Sequence, residues 1–287
     1  MRTEIQEPLD YLTVGHITKD VVENGYTLGG TASYSPLTAL AFGLRAGSFT
    51  PYGDDISVSP LDKIVLVRKP SQFTATFENI ETPTGRRQHL FQITEPLMAA
   101  DIPEFLTTAK ILHLGPLTNA VDPDIITLFP EAFIGITPQG WMRKRDKDGW
   151  VGYQEWVPPQ ALIDRADAVV ISVDDVYSNE ALIADYALKF KIFIVTEGFN
   201  GARVYWNGDV RRFLAPKVEV VDPTGAGDIF AAAFFVRYEA SRDPWESAAF
   251  AVNIASSSVT RKGLLGVPSA EEIQANMIKV TRGSSLS

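Results

Sequence analysis

The sequence predicts an α/β protein, with helices on both faces of a mostly parallel sheet, and three observations carry that reading. From Ile111 onward short apolar runs alternate with helical stretches: Ile111–Leu114, a helix from about Asp122, Phe133–Thr137, Ala168–Ser172, a helix from Asn179, then Ile192–Thr196. Strands that alternate with helices imply a parallel sheet covered on both sides. Val220 to Phe230 passes from a β-branched run through two glycines into an Ala- and Phe-rich stretch, which reads as a strand, a tight turn and a helix N-terminus. Thr74–Phe77 and Gln88–Ile93 flank Thr84-Gly85-Arg86-Arg87 and read as two strands about a hairpin turn, their polar alternation suiting one wet face.

The remaining elements follow in order. Tyr11–Val14 is a first buried strand ending at Gly15-His16, and a polar stretch carries Asp20 before Val21-Val22. Gly29-Gly30-Thr31-Ala32-Ser33 precedes an amphipathic run to Leu44, with the glycines as a turn and Ser33 as a helix cap in the plainest reading. Gly47–Tyr52 and Ile64–Arg68 are strands. Thr137-Pro138-Gln139-Gly140-Trp141-Met142-Arg143 sits at the C-terminal end of a strand, where open α/β sheets place ligands, and Lys144–Asp148 is a charged loop. Ser172-Val173-Asp174-Asp175 follows the next strand. Thr196-Glu197-Gly198-Phe199-Asn200-Gly201 joins the strand at Ile192–Val195 to Ala202–Trp206 and is by itself a good hairpin.

Composition narrows the function. At 287 residues the chain is long enough for one large α/β domain or two smaller ones. A net charge of −9 with no block of Lys or Arg argues against a nucleic-acid partner. The absence of cysteine excludes disulfides and thiolate chemistry and suits a reducing cytoplasm. Residues 1 to 10 show no signal peptide, and the longest apolar run, Ile229–Val236, is too short to cross a bilayer. His16, His89 and His113 are too scattered for a metal-ligand spacing.

The chemistry concentrates at Asp222-Pro223-Thr224-Gly225-Ala226-Gly227-Asp228. Gly225 and Gly227 open the helix, where unpaired amides and the positive dipole end favour an anion, phosphate above all. A carboxylate beside an anion hole makes sense if it takes a proton from a hydroxyl attacking the phosphoryl group held there. An ordinary helix cap at Asp228 is the alternative. No Gly-Lys-Ser/Thr ending and no third glycine are present, so neither a Walker A loop nor a dinucleotide fingerprint fits.

This seven-residue stretch resembles the C-terminal signature of the ribokinase-like carbohydrate kinases, the PfkB family. The resemblance runs through nearly the whole chain, strongest from Thr196 to Pro268 and weakest from Pro70 to Glu95. It implies a ribokinase-like three-layer α/β/α sandwich forming a single domain over 1–287, with a small β lid from about 20–28 and 73–93. The implied reaction moves the γ-phosphoryl group of ATP to a hydroxyl of a small sugar or cyclitol. Asp228 is then the general base, and the amides of Gly225, Ala226 and Gly227 form the anion hole. Asp20, Gly29, Gly30, Ser33 and Arg143 meet the acceptor, while Thr196, Gly198, Gly201 and Asn253 meet the nucleotide. Asp175 serves magnesium, and Asp222 a monovalent cation such as potassium. Two positions depart from the family pattern: Tyr34 stands where an Asn is usual, and Ser172 with Asp175 replaces Asn-x-x-Glu. A nucleoside kinase, or an inactive sugar- or nucleotide-binding protein of the same fold, are the alternatives. The partners expected are a polyol and ATP, with neither nucleic acid nor membrane, and a homodimer through the lid is a candidate assembly.

Overall fold

The computed structural model describes residues 7–82 and 85–283. The chain begins with β1 (Tyr11–Gly15), β2 (Thr18–Val22), β3 (Gly25–Gly29), α1 (Thr31–Ala41), β4 (Ala46–Tyr52), β5 (Val65–Pro70), β6 (Ala75–Thr82) and β7 (Gly85–Gln92). Next come β8 (Ile111–Gly115), β9 (Phe133–Ile136), β10 (Arg143–Arg145), β11 (Val151–Tyr153), α2 (Gln160–Arg165), β12 (Ala168–Ser172) and α3 (Glu180–Lys189). The last third holds β13 (Ile192–Thr196), β14 (Ala202–Trp206), β15 (Asp209–Phe213), α4 (Ala226–Ser241), α5 (Pro244–Ser258) and α6 (Ala270–Gly283).

Nine strands form the main sheet in the order β15-β14-β13-β12-β9-β8-β1-β4-β5. The seven strands from β13 to β5 run parallel, and β14 and β15 add an antiparallel edge. Side chains alternate across a strand, so each strand feeds two cores. Tyr11, Ile111, Phe133, Val170 and Ile194 pack with the apolar residues of α1, α4 and α5 on one face. Leu12, Val14, Leu112, Ile134, Val169 and Val195 pack on the other face with Ile125, Leu162, Ile183 and Tyr186. The α4 helix is apolar nearly all round, burying Phe230, Phe234 and Phe235 completely or almost so. Each such side chain contributes roughly 1.5–3 kcal/mol of burial. The element carrying the signature is thus also a central piece of the core.

A second sheet, in the order β3-β2-β6-β7, stands apart from the first. Ala75, Phe77 and Leu90 give it a small core of its own, against which Leu117 and Val151 pack. It occupies the segments expected for the lid. Residues 83 and 84, part of the expected hairpin turn, lie outside the described residues.

Four local expectations are corrected. The helix from Asp122 is a single 3-10 stretch, Pro123–Leu128, capped by the Asp122 carboxylate on the Asp124 amide and followed by Pro130. The Val220 run is not a strand: Val220 and Val221 are exposed, and the amides of Val221 and Asp222 both bond to the Val259 carbonyl rather than to a sheet. The charged stretch at Lys144–Asp148 is only partly a loop: Lys144 and Arg145 belong to β10, and Asp146–Asp148 enter the turn of the antiparallel β10–β11 hairpin. Helix α1 starts at Thr31 with Gly30 as its cap residue, so Ser33 is inside the helix and is not its cap.

Candidate active site

A cavity of about 210 Å³ opens at the C-terminal ends of β12 and β13, bounded by the turn into α4 on one side and by the small sheet on the other. This is the crevice where parallel α/β sheets bind ligands. The turn into α4 is built by Asp222. One carboxylate oxygen accepts the Thr224 amide at 2.9 Å, and the other accepts the Gly263 amide at 2.8 Å, so the turn is tied to the chain leaving α5.

Gly225 has φ +79°, and a Cβ there would lie 2.4 Å from the Tyr34 ring, so glycine is demanded by conformation and by packing. At Gly227 a Cβ would meet no protein atom within 4 Å. The amide of Ala226 is spent on the Pro223 carbonyl at 3.2 Å, which corrects the expectation that all three signature amides serve the anion hole. Gly225 and Gly227 both line the cavity, and among the described residues their amides make no hydrogen bond. An anion hole built here draws on these two and on the start of α4.

Asp228, in the first turn of α4, faces the same cavity. The Thr31 hydroxyl, at the start of α1, donates to its Oδ1 at 2.5 Å. Burial raises the Asp228 carboxyl from 3.8 to about 6; the Thr31 bond and the Arg143 guanidinium pull it down, while Asp20 and Asp175 push it up. Such a carboxylate is ionised at neutral pH and is a better proton acceptor than an ordinary Asp.

The expected site residues divide. Asp20, Gly30, Arg143, Thr196, Asp175, Gly225, Gly227 and Asp228 line this cavity together. Gly29 acts at one remove: a side chain there would strike the Asp20 carboxylate. Ser33 is fully buried and turns its hydroxyl back onto the Gly29 carbonyl at 2.8 Å, away from any ligand. Gly198, Gly201 and Asn253 lie outside the cavity lining. Gly201 is a hairpin glycine, with φ +91° and the Phe213 carbonyl where a Cβ would be, whereas Gly198 faces open space. Tyr34 takes the place of the usual Asn, lines the cavity, and buries a hydroxyl that has no hydrogen-bond partner among the described residues. Thr31, Asn79 and Gln88 also line the site without having been anticipated, the Gln88 amide donating to Asn79 at 2.8 Å. Thr31 was legible only as an alcohol after a Gly-Gly turn, and Asn79 and Gln88 only as polar positions on predicted strands.

Magnesium is not well matched to Asp175. Its carboxylate accepts the Ser172 amide at 2.8 Å and the Gln139 side-chain amide at 2.9 Å, and an Arg143 nitrogen lies 4.0 Å away. A dication there would stand against a guanidinium. Among the described residues no group of three or more His, Cys, Asp or Glu is placed to hold a metal.

Residues 167–270 match the pfkB family carbohydrate kinase profile. That segment holds the turn into α4 together with α4 and α5, and it is similar to the pfkB family of carbohydrate kinases. A cytidine kinase of Thermococcus kodakarensis is 24% identical over 263 residues, covering 82% of this chain and 90% of that protein. An inositol 3-kinase of Zea mays is 29% identical over 170 residues, covering 57% of this chain but 43% of that protein. Among solved structures, a pyrophosphate-dependent kinase in the ribokinase family, complexed with a pyrophosphate analogue and myo-inositol, superposes with a TM-score of 0.77 at 20% identity over 92% of this chain and 99% of that one. At that identity the superposition shows the fold, and the ribokinase-like sandwich is the one observed.

Proposed function

We propose that this protein is an ATP-dependent kinase of the PfkB family that phosphorylates a hydroxyl of a small sugar or cyclitol. The observation that carries the reading is Asp228: a carboxylate raised to about 6, facing a cavity beside two unpaired glycine amides at a helix N-terminus. In this reading the acceptor hydroxyl lies against Asp228 and gives it the proton. The freed oxygen attacks the terminal phosphorus, the bond to the bridging oxygen breaks, and ADP leaves. Charge on the transferring phosphoryl group falls where the Gly225 and Gly227 amides and the α4 dipole are aimed, before any reorganisation is needed. Thr31 orients the base through its 2.5 Å bond.

The acceptor end is polar. Thr18, Asp20, Asn79 and Gln88 line it, a set of donors and acceptors suited to neighbouring hydroxyls. The relatives divide on the acceptor, since one phosphorylates a nucleoside and another an inositol by name. The donors and acceptors along that end favour a polyol such as a cyclitol. A coupled ADP-release screen over inositols, ribose, fructose, cytidine and adenosine, with pyrophosphate as a second donor, tests this. Turnover confined to nucleosides would replace the sugar reading, and no turnover with any pair would remove the kinase reading.

A further inference from the structure

We propose that Arg143 is the cation that meets the donor's terminal phosphate in this chain, and that Asp175 is its positioning residue, not a magnesium ligand. The inference rests on the phosphoryl-transfer reading but concerns different residues and a different charge.

Asp175 lies three residues after Ser172, at the end of β12, and is short enough to fold back and accept the Ser172 amide at 2.8 Å. That fixes one oxygen and turns the other toward the chain that follows β9. There it accepts from the Gln139 amide at 2.9 Å and stands 4.0 Å from an Arg143 nitrogen. The Asp175 side chain is only 8% exposed, so its charge is poorly solvated and is balanced by what surrounds it.

Arg143 occupies a particular place. It lines the cavity of Asp228 and also a larger one of about 780 Å³ that includes Arg87, Tyr153 and Tyr177. Its guanidinium thus stands at the seam between them, with Gln139 and Asp175 lining both as well. The Asp228 cavity carries three carboxylates, Asp20, Asp175 and Asp228, and Arg143 is the one cationic side chain among its described lining residues. A phosphate entering such a space meets net negative charge unless a cation is fixed near the base. The planar fork of an arginine presents several donors that suit phosphate oxygens. Asp175, itself held by the Ser172 amide and by Gln139, stands 4.0 Å from one nitrogen of that fork, and a carboxylate so engaged beside a guanidinium is poorly disposed to take a dication.

Four variants test it, each first checked for a wild-type circular dichroism spectrum and a cooperative melt. Binding of inorganic pyrophosphate is read by calorimetry in EDTA, so that neither turnover nor magnesium enters. Wild type and Asp228→Asn are expected to bind, Arg143→Ala to lose at least about ten-fold in affinity, and Arg143→Lys to lie between. In turnover assays Arg143→Ala should fall by about a hundred-fold or more, as for loss of one transition-state donor, and recover in part with added guanidinium but not with methylammonium. Asp175→Asn should raise the donor KM several-fold with an unchanged half-saturating magnesium concentration. A shifted magnesium curve in Asp175→Asn, rescued by excess metal, would overturn the proposal, as would unchanged pyrophosphate affinity in Arg143→Ala. Pyrophosphate binding lost in Arg143→Ala while wild type turns over no acceptor would uphold this site and reject the kinase reading separately.

Discussion

Replacing Asp228 by Asn separates the chemistry from the fold more cleanly than any other change to this protein. The amide keeps the size and the oxygen that accepts from Thr31, but it cannot take a proton. Loss of a general base is worth on the order of a hundred- to ten-thousand-fold in turnover. Stability should move the other way. The folded carboxyl titrates near 6 against 3.8 unfolded, so its contribution is present in full below about pH 4 and is lost as pH rises through about 6. About two pKa units correspond to roughly 3 kcal/mol at pH 8. The carboxylate faces an open cavity and gains about half a kcal/mol from the α4 dipole, so a net gain of about 1–2 kcal/mol is the better figure for the amide. At about 2–4 °C per kcal/mol the variant should melt a few degrees higher at pH 8. At pH 4.5 it should show little advantage. Coupled ADP release and thermal melts at the two pH values measure both effects. Wild-type turnover should itself decline as pH falls through about 6, where the base takes up its proton. A well-folded Asp228→Asn protein with near-wild-type turnover would refute the mechanism.

Four further substitutions have expected outcomes. Gly227→Ala should leave stability within about 1 kcal/mol, because its Cβ meets open space, yet cut turnover by crowding the phosphoryl group; Gly225→Ala should cost several kcal/mol in denaturant melts, since it combines positive φ with a clash on Tyr34. Tyr34→Phe removes a buried hydroxyl without a partner and should stabilise by up to about 1 kcal/mol; a raised acceptor KM would show that the hydroxyl touches substrate. Asp222→Ala frees the Thr224 and Gly263 amides and should destabilise by about 1–3 kcal/mol, and rates compared in potassium and tetramethylammonium should differ several-fold if a cation also braces this turn, equal rates dismissing it.

What could be read in the sequence follows the strength of the periodic signals. The parallel strands are short runs buried on both faces, and α4 is long and apolar, so both stand out before any tertiary contact is known. The β10–β11 hairpin did not, because its strands are three residues each, Arg143–Arg145 charged and Val151–Tyr153 interrupted by Gly152, and they take their order from pairing alone. The Val220-Val221 run misled for the opposite reason: β-branched composition suggested a strand, yet both side chains are exposed and the Val221 and Asp222 amides bond to the Val259 carbonyl instead of a sheet. Within the site, Asp228 was legible because its turn is a local motif. Thr31 was not, since its meaning depends on a partner far along the chain. Asp175 was visible as a carboxylate in the right place, but which groups it faces is decided by Gln139 and Arg143, on a separate loop.

The bond from Thr31 to Asp228 spans 197 positions, and β1 sits mid-sheet between β4 and β8. During synthesis the first half of the chain therefore builds the acceptor floor and several parallel strands long before the helix that carries the base has left the ribosome. Until β12 and β13 arrive, β9 presents an unpaired edge, and until α4 and α5 arrive one face of the sheet is covered by α1 alone. Such an intermediate is prone to pair with others of its kind. The α4–α5 pair, made late in the chain, closes that face of the core, and the same helix α4 carries Asp228 to the cavity.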